Sequence, residues 1–190
     1  MKPIYVPTGA AKEYGDYALN IYTGCPHNCF YCYAPKILRK SKEQFHENVM
    51  PRIDIVKQTE SQIIREKITG KTIHLCFTCD PYPTGVNTNI TREIILVLKK
   101  YGNHVQLLTK GDGSRDFDIL DSNDWYGITL DGIKNDYAPF VPRVNALAQA
   151  HFRGIKTWVS FEPVTDLNEF FKNLHLIANV ADKIKIGKLN

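Results

Sequence analysis

Short apolar runs alternate with longer stretches of helical period along this chain of 190 residues. Six runs are rich in β-branched and aromatic side chains and predict buried strands. They are Tyr17–Tyr22, Thr72–Thr78, His104–Thr109, Trp125–Leu130, Lys156–Phe161 and Lys183–Ile186. Between them Ile90, Ile94, Val97, Leu98 and Tyr101 recur at helical spacing, and Gly102 marks the stop. Val144 to Phe152, ended by Gly154, and Leu167 to Ala178 predict two more helices. Thr59-x-x-Gln62 and Asp166-x-x-Glu169 read as capping boxes. The stretch from Pro35 to Ile68 carries Pro51 and predicts more than one helix. Strand–helix alternation predicts right-handed βαβ units on a parallel sheet of six strands, an α/β fold in one domain over 1–190. In such folds chemistry collects at the C-terminal ends of strands.

The loop after the first predicted strand reads Cys25-Pro26-His27-Asn28-Cys29-Phe30-Tyr31-Cys32. The spacing C-x3-C-x2-C offers three thiolates, whereas a closed zinc or iron–sulfur site uses four protein ligands. Three thiolates on one short loop can hold a four-iron cluster with one iron left open to a ligand that is not protein. The total of five cysteines is odd, and three are crowded together, so metal binding in a reducing compartment is expected rather than a disulfide framework. Hydrophobic and charged fractions of 43% and 23% suit a globular chain. No run of about 18 apolar residues or signal-peptide pattern stands out, which predicts a soluble, cytoplasmic protein without membrane association. The net charge of +4 permits a nucleic-acid partner without arguing for one.

The segment from Asn20 to Ala34 resembles the radical S-adenosylmethionine (SAM) superfamily, nearest the branch of spore photoproduct lyase and DNA-repair-photolyase-like proteins. The resemblance implies a partial (β/α)6 barrel over about 15–187. It assigns Cys25, Cys29 and Cys32 to a [4Fe-4S] cluster whose fourth iron is chelated by SAM. One electron then cleaves SAM to methionine and a 5′-deoxyadenosyl radical, which abstracts hydrogen from a substrate. The resemblance also implies a flavodoxin- or ferredoxin-like electron donor.

The other strand ends are the candidate SAM contacts. Leu75-Cys76-Phe77-Thr78-Cys79-Asp80-Pro81-Tyr82 closes the second predicted strand, and by resemblance Thr78, Cys79 and Asp80 meet the SAM amino group. An ammonium wants acceptors or a carboxylate nearby. Lys110 ends the third strand, where the family lysine pairs with the SAM carboxylate. Thr129 on the fourth strand offers a hydroxyl, and Glu162 on the fifth offers a carboxylate to ribose hydroxyls or an amine. Tyr33 follows the last cluster cysteine, where an aromatic of the family packs against adenine. Gly187 and Asn190 near the last strand are further candidates for meeting the adenine. Phe30 and Tyr31 are expected to keep the cluster dry, and His27 to pack within the loop. His74, His104 and His151 read as ordinary structural histidines.

Alternating strand geometry places Cys76 and Thr78 on one face, Phe77 on the other and Cys79 at the rim. A thiol at the rim can give a hydrogen atom to a product radical, which makes Cys79 the catalytic candidate. The hydrogen-donating cysteine of the lyase, matched on the aspartate, falls on Phe77 instead. The substrate stays open between nucleic acid, peptide and a partner enzyme. The chain stops near the sixth strand, where the lyase carries further structure that helps grip DNA, so a partner subunit completing the pocket is one expectation. The competing reading is a zinc- or cluster-bearing interaction module that uses Cys76 or Cys79 as a fourth ligand.

Overall fold

A computed structural model of the protein describes residues 2–132 and 139–188. Seven strands form one sheet in the order of the chain. They are β1 (Ile4–Tyr5), β2 (Tyr17–Leu19), β3 (Thr72–Leu75), β4 (His104–Thr109), β5 (Trp125–Thr129), β6 (Lys156–Val164) and β7 (Lys183–Lys188). All neighbours from β2 to β7 pair in parallel, and β1 pairs antiparallel with β2. The sheet is not closed: β1 and β7 are its two edges. The helices are α1 (Ala34–Leu38), α2 (Lys42–Glu47), α3 (Ile55–Glu66), α4 (Asn89–Lys100), α5 (Phe140–Phe152) and α6 (Leu167–Ile177). None of the described helices is long and apolar enough to cross a membrane.

Period-two alternation sorts the strand residues onto two faces. Ile73, Leu75, Val105, Leu107, Tyr126, Ile128, Val159 and Phe161 join the main apolar core, together with Ile63, Ile94, Ile95, Leu98 and Leu147 from the helices. The intervening residues His74, Gln106, Gly127, Thr129, Trp158 and Ser160 are buried too, but on the inner face. There the Trp158 indole donates to Leu107 O at 2.8 Å. Its ring lies so close to Gly127 that a Cβ there would meet Nε1 at 2.2 Å. A polar inner face in a parallel sheet is unusual for packing alone, and it lines the cavity described below.

Four expectations are corrected. The sheet has a seventh strand, β1, which is two residues long and too short to carry a period. The first predicted strand stops at Leu19, and Tyr22 makes an isolated bridge to Pro51. The second stops at Leu75, because Cys76 takes a positive φ of 76° and turns the chain out of the sheet; the supposed alternation of Cys76, Phe77 and Thr78 therefore does not exist. Thr59-x-x-Gln62 is no capping box. The helix begins at Ile55, and Gln62 lies in its interior, where the amide accepts from Ile4 N at 2.9 Å and donates to Ile4 O at 2.8 Å. Gln62 thus completes the backbone bonding of the short edge strand. The second box fares better: Asp166 caps α6 by accepting from Asn168 N and Glu169 N. Gly102 and Gly154 follow α4 and α5 with φ of 73° and 76°, the left-handed geometry that ends a helix.

Candidate active site

The loop holding Cys25, Cys29 and Cys32 leaves the C-terminal end of β2 and is anchored on both sides. On one side Cys25 N donates to Phe45 O at 3.2 Å, and Thr23 N to Met50 O at 2.9 Å. The His46 imidazole donates from Nδ1 to Cys25 O at 2.7 Å. α2 supplies Phe45 and His46 and is itself set by a capping box, Ser41 with Gln44. On the other side His27 is buried, 1% exposed. Thr84 N donates to its Nε2 at 3.3 Å, which leaves Nδ1 to carry the proton toward Asp80 Oδ2, 3.3 Å away.

Asp80 is the clasp of the site. One carboxylate oxygen accepts from Tyr82 N at 2.8 Å and Thr109 Oγ1 at 2.5 Å; the other accepts from Lys110 N at 2.8 Å. Burial alone would raise its pKa, but His27, the Thr109 hydroxyl and the Lys110 N–H outweigh it and hold the carboxyl below its ordinary range. One side chain thereby ties the cysteine loop, the end of β3 and the end of β4 together.

The three thiols are free. Burial, ahead of every other influence, pushes each of them up, and Lys110 opposes this at Cys29 and Cys32. Lys110 Nζ lies 3.6 Å from Asp131 Oδ2 and 5.4 Å from the Tyr31 ring centre. The Tyr31 hydroxyl also donates to Asp131 Oδ2. Arg143, buried on α5, donates to Thr129 O at the end of β5. Beside the loop, Tyr33 is half exposed and its hydroxyl donates to Phe77 O at 2.6 Å; burial of the ring's polar end pushes its pKa up to about 12. Phe30 is 59% exposed and contributes little shielding.

A cavity of about 700 Å³ opens at the strand ends and is lined by Tyr31, Tyr33, Cys79, Asp80, Leu108 and Lys110. Thr129, Ser160, Glu162 and Gly187 close its far wall. Thr78 sits between Phe77 and Cys79 of that lining, its hydroxyl oxygen buried and without a hydrogen-bond partner. Glu162 accepts from Ser160 Oγ at 2.9 Å and from the Tyr14 hydroxyl. Gly187 leaves Glu162 its space, since a Cβ there would meet Glu162 Cγ at 2.9 Å. Leu189 and Asn190 lie outside the described residues, so only Gly187 of that candidate pair can be placed.

The structure therefore brings Tyr33, Cys79, Asp80, Lys110, Thr129 and Glu162 to one cavity; Tyr31 and Tyr33 of the cysteine loop line it, whereas Thr78 and the three cysteines are not among its lining residues. Sequence reading missed Tyr14, which belongs to no predicted element. It follows the 3-10 turn Gly9–Glu13 and packs edge-on against Phe77 and Trp158, with ring centres 5.5 and 5.8 Å apart. Lys185 of β7 lies 3.6 Å over its ring. His74, expected from the sequence to be an ordinary structural histidine, lines the cavity, stacks on Phe77 at 4.3 Å and pairs with Gln106 at 3.1 Å. Burial lowers its pKa to about 4, so the ring is neutral at physiological pH.

The radical SAM superfamily description matches residues 19–169, most of the chain. The chain belongs to the radical SAM superfamily. An uncharacterised protein, MJ0683, of Methanocaldococcus jannaschii is 30% identical over 161 residues, 78% of this chain and 60% of that one. Among solved structures, a spore photoproduct lyase variant with bound AdoMet and dinucleoside spore photoproduct superposes with a TM-score of 0.71 at 14% identity, covering 97% of this chain and 59% of that one. A second variant of the lyase gives 0.67 at 12% identity, covering 95% and 58%. The radical SAM chain thus shares the lyase fold and spans about three fifths of these proteins' length.

The superfamily implies a [4Fe-4S] cluster and SAM, and this chain's residues fit both. The donor set is three free thiols on one loop, soft ligands suited to iron–sulfur binding. The orphaned Thr78 hydroxyl and the Lys110 ammonium supply the neutral and charged partners that an amino acid moiety requires.

Proposed function

We propose that this chain is the cofactor-binding core of a radical SAM enzyme, with Cys25, Cys29 and Cys32 as the ligands of a [4Fe-4S] cluster. The observation that carries the reading is the convergence of the cysteine loop and the ends of β3, β4, β5 and β6 on one cavity. When bound, the cluster supplies the electron that splits SAM into methionine and a 5′-deoxyadenosyl radical. Lys110 binds the SAM carboxylate, and Thr78 with the Cys79 region receives its amino group. Asp80 has its oxygens engaged by four donors, so its part is to hold the loop and Lys110 in register. Thr129 and Glu162 meet the ribose side, and Tyr33 covers the adenine. Cys79 faces the same cavity and gives a hydrogen atom to the product radical.

Anaerobic turnover with SAM and dithionite tests this. About four irons per chain, acid-labile sulfide to match, and release of 5′-deoxyadenosine are the expected outcome. A reconstituted protein that never cleaves SAM overturns it, and one zinc with no sulfide favours a structural metal module. Lys110→Ala is expected to raise the SAM concentration for half-maximal cleavage by roughly tenfold to a hundredfold, as loss of a partly buried charge-assisted contact does, while iron content stays level. Cys79→Ala is expected to alter product distribution and leave SAM cleavage in place.

For the substrate we propose nucleic acid as the first class to test. The support is the fold shared with a lyase solved with a dinucleoside photoproduct. Binding to DNA that falls steeply with salt is the expected signature; salt-insensitive or absent binding turns attention to peptide or partner-protein substrates. A flavodoxin- or ferredoxin-like donor delivers the electron in this scheme, and the proposed setting is the cytoplasm.

A further inference from the structure

The segment ahead of β2 contributes one aromatic side chain to the cavity wall. Tyr14 lines the cavity together with Ala10 and Ala11, and its ring is boxed in. The ring centres of His74, Phe77 and Trp158 lie 5.3, 5.5 and 5.8 Å from its own. Lys185 Nζ sits 3.6 Å from the ring centre, and Glu13 holds that ammonium at 3.2 Å. Packing from several elements selects one rotamer, so the fold sets the direction of the hydroxyl. That direction ends on Glu162 Oε2.

Glu162 receives two hydroxyl donors, and both meet the same oxygen. Tyr14 and Ser160 donate to Oε2, Ser160 at 2.9 Å. No described residue donates to Oε1. Glu162 is only partly buried and lines the cavity. Gly187 beside it adds no side chain to crowd Oε1, where a Cβ would stand 3.0 Å away. Tyr14 stays a donor, because burial first and then the hydrogen bond to Glu162 push its pKa well above the ordinary value. A carboxylate with one oxygen taken and the other open is a directed acceptor for a single polar face of a ligand.

We propose that Glu162 Oε1 accepts from the ribose hydroxyls of the nucleoside half of SAM, with Tyr14 as the residue that positions it. The proposal rests on the reading that this cavity takes SAM. That reading seats the amino acid half at Lys110 and Thr78, which leaves the far wall to the sugar. Tyr14 works through the carboxylate: it holds Oε2 and thereby turns Oε1 to the ligand. A freely turning carboxylate loses rotamer freedom when it binds a sugar, whereas one already bonded at Oε2 loses little. The consequence is a preference for ribose over a sugar without hydroxyls.

Anaerobic equilibrium dialysis of the cluster-loaded protein tests this with two probes, 5′-deoxyadenosine and its analogue without the 2′- and 3′-hydroxyls. Wild type is expected to bind 5′-deoxyadenosine about tenfold more tightly or better, the scale of a hydrogen bond to a charged group. Tyr14→Phe keeps the ring and removes the hydroxyl. It is expected to weaken 5′-deoxyadenosine by about threefold to tenfold and to bind the analogue as wild type does, which also reports an intact cavity. Glu162→Ala brings the two probes level, and adding Tyr14→Phe to it changes nothing further. In SAM cleavage Tyr14→Phe raises KM and leaves kcat level. The proposal fails if wild type binds both probes equally or neither, if Tyr14→Phe weakens both alike, or if it still acts once Glu162 is gone. Should Tyr14→Phe not fold, Ser160→Ala removes the other donor to Oε2 and must lower the same preference. The SAM reading fails separately, on absent cleavage, which these binding ratios do not measure.

Discussion

Replacing Gly24 with alanine is expected to strip the protein of most of its iron and to destabilise the fold by roughly 2–4 kcal/mol. Gly24 precedes the first cluster cysteine and is buried under α2. A Cβ at this position would stand 2.1 Å from Phe45 O and 3.2 Å from Asn48 O. Both are backbone atoms, so no side chain can rotate away. Relief requires the loop to withdraw from α2, which breaks the Cys25 N to Phe45 O bond and the His46 contact to Cys25 O. Cys25 then no longer shares a fixed geometry with Cys29 and Cys32. Iron and sulfide analysis after anaerobic reconstitution, beside a urea unfolding curve, checks the result. Full iron loading at wild-type stability would show that the loop has more room than the backbone contacts indicate.

Asp80→Asn is expected to weaken the fold by about 3 kcal/mol at neutral pH, the usual scale for spoiling a buried, fully bonded carboxylate. The amide keeps one acceptor but turns an NH2 toward donors, Lys110 N and His27 among them. The pH dependence carries the diagnosis. The folded-state pKa of Asp80 lies below its ordinary value of 3.8, so the unfolded chain takes up its proton first as the solution is acidified. The stabilisation is therefore complete above the unfolded-state value, about pH 4, and is lost as pH falls through the lower folded value. The gap between wild type and Asp80→Asn should stay constant from pH 7 to about 5 and narrow below about 4. Urea titrations at pH 7, 5 and 3.5 measure it; a gap that widens on acidification would reverse the assigned sign.

Much of this architecture was legible because the strands obey their periods. Val105, Leu107, Ile128 and Val159 alternate with polar inner-face partners, and the five parallel strands from β3 to β7 fall where their apolar runs lie. The cysteine spacing marked the site because ligand chemistry is local in sequence. What escaped was whatever depends on long-range backbone contacts. β1 exists because Gln62 bonds both polar groups of Ile4 across 58 positions, and a two-residue strand has no pattern of its own. Cys76 leaves the sheet because Asn20 captures the next two N–H groups, a bond invisible in the run of β-formers around it. Asp80 looked like a ligand residue from its motif, yet its lone pairs are turned inward by His27, Tyr82, Thr109 and Lys110. Tyr14 belongs to the cavity through contacts with Phe77, Trp158 and Glu162, all distant from it in sequence.

The sequential strand order also sets a timetable for synthesis. Each strand pairs with the one made just before it, so the sheet can grow on the ribosome one unit at a time. The three cysteines emerge before β3, and Lys110 follows Cys32 by 78 residues. At translation rates of about 5–20 residues per second, the thiols wait roughly 4–16 s before Asp80 can be clasped by the end of β4. During that interval they are exposed and loosely held, open to stray metal or oxidant. A cell making this protein is therefore expected to load its iron after that interval, and slowing translation between the cysteine loop and β4 should lower the fraction of molecules that acquire it.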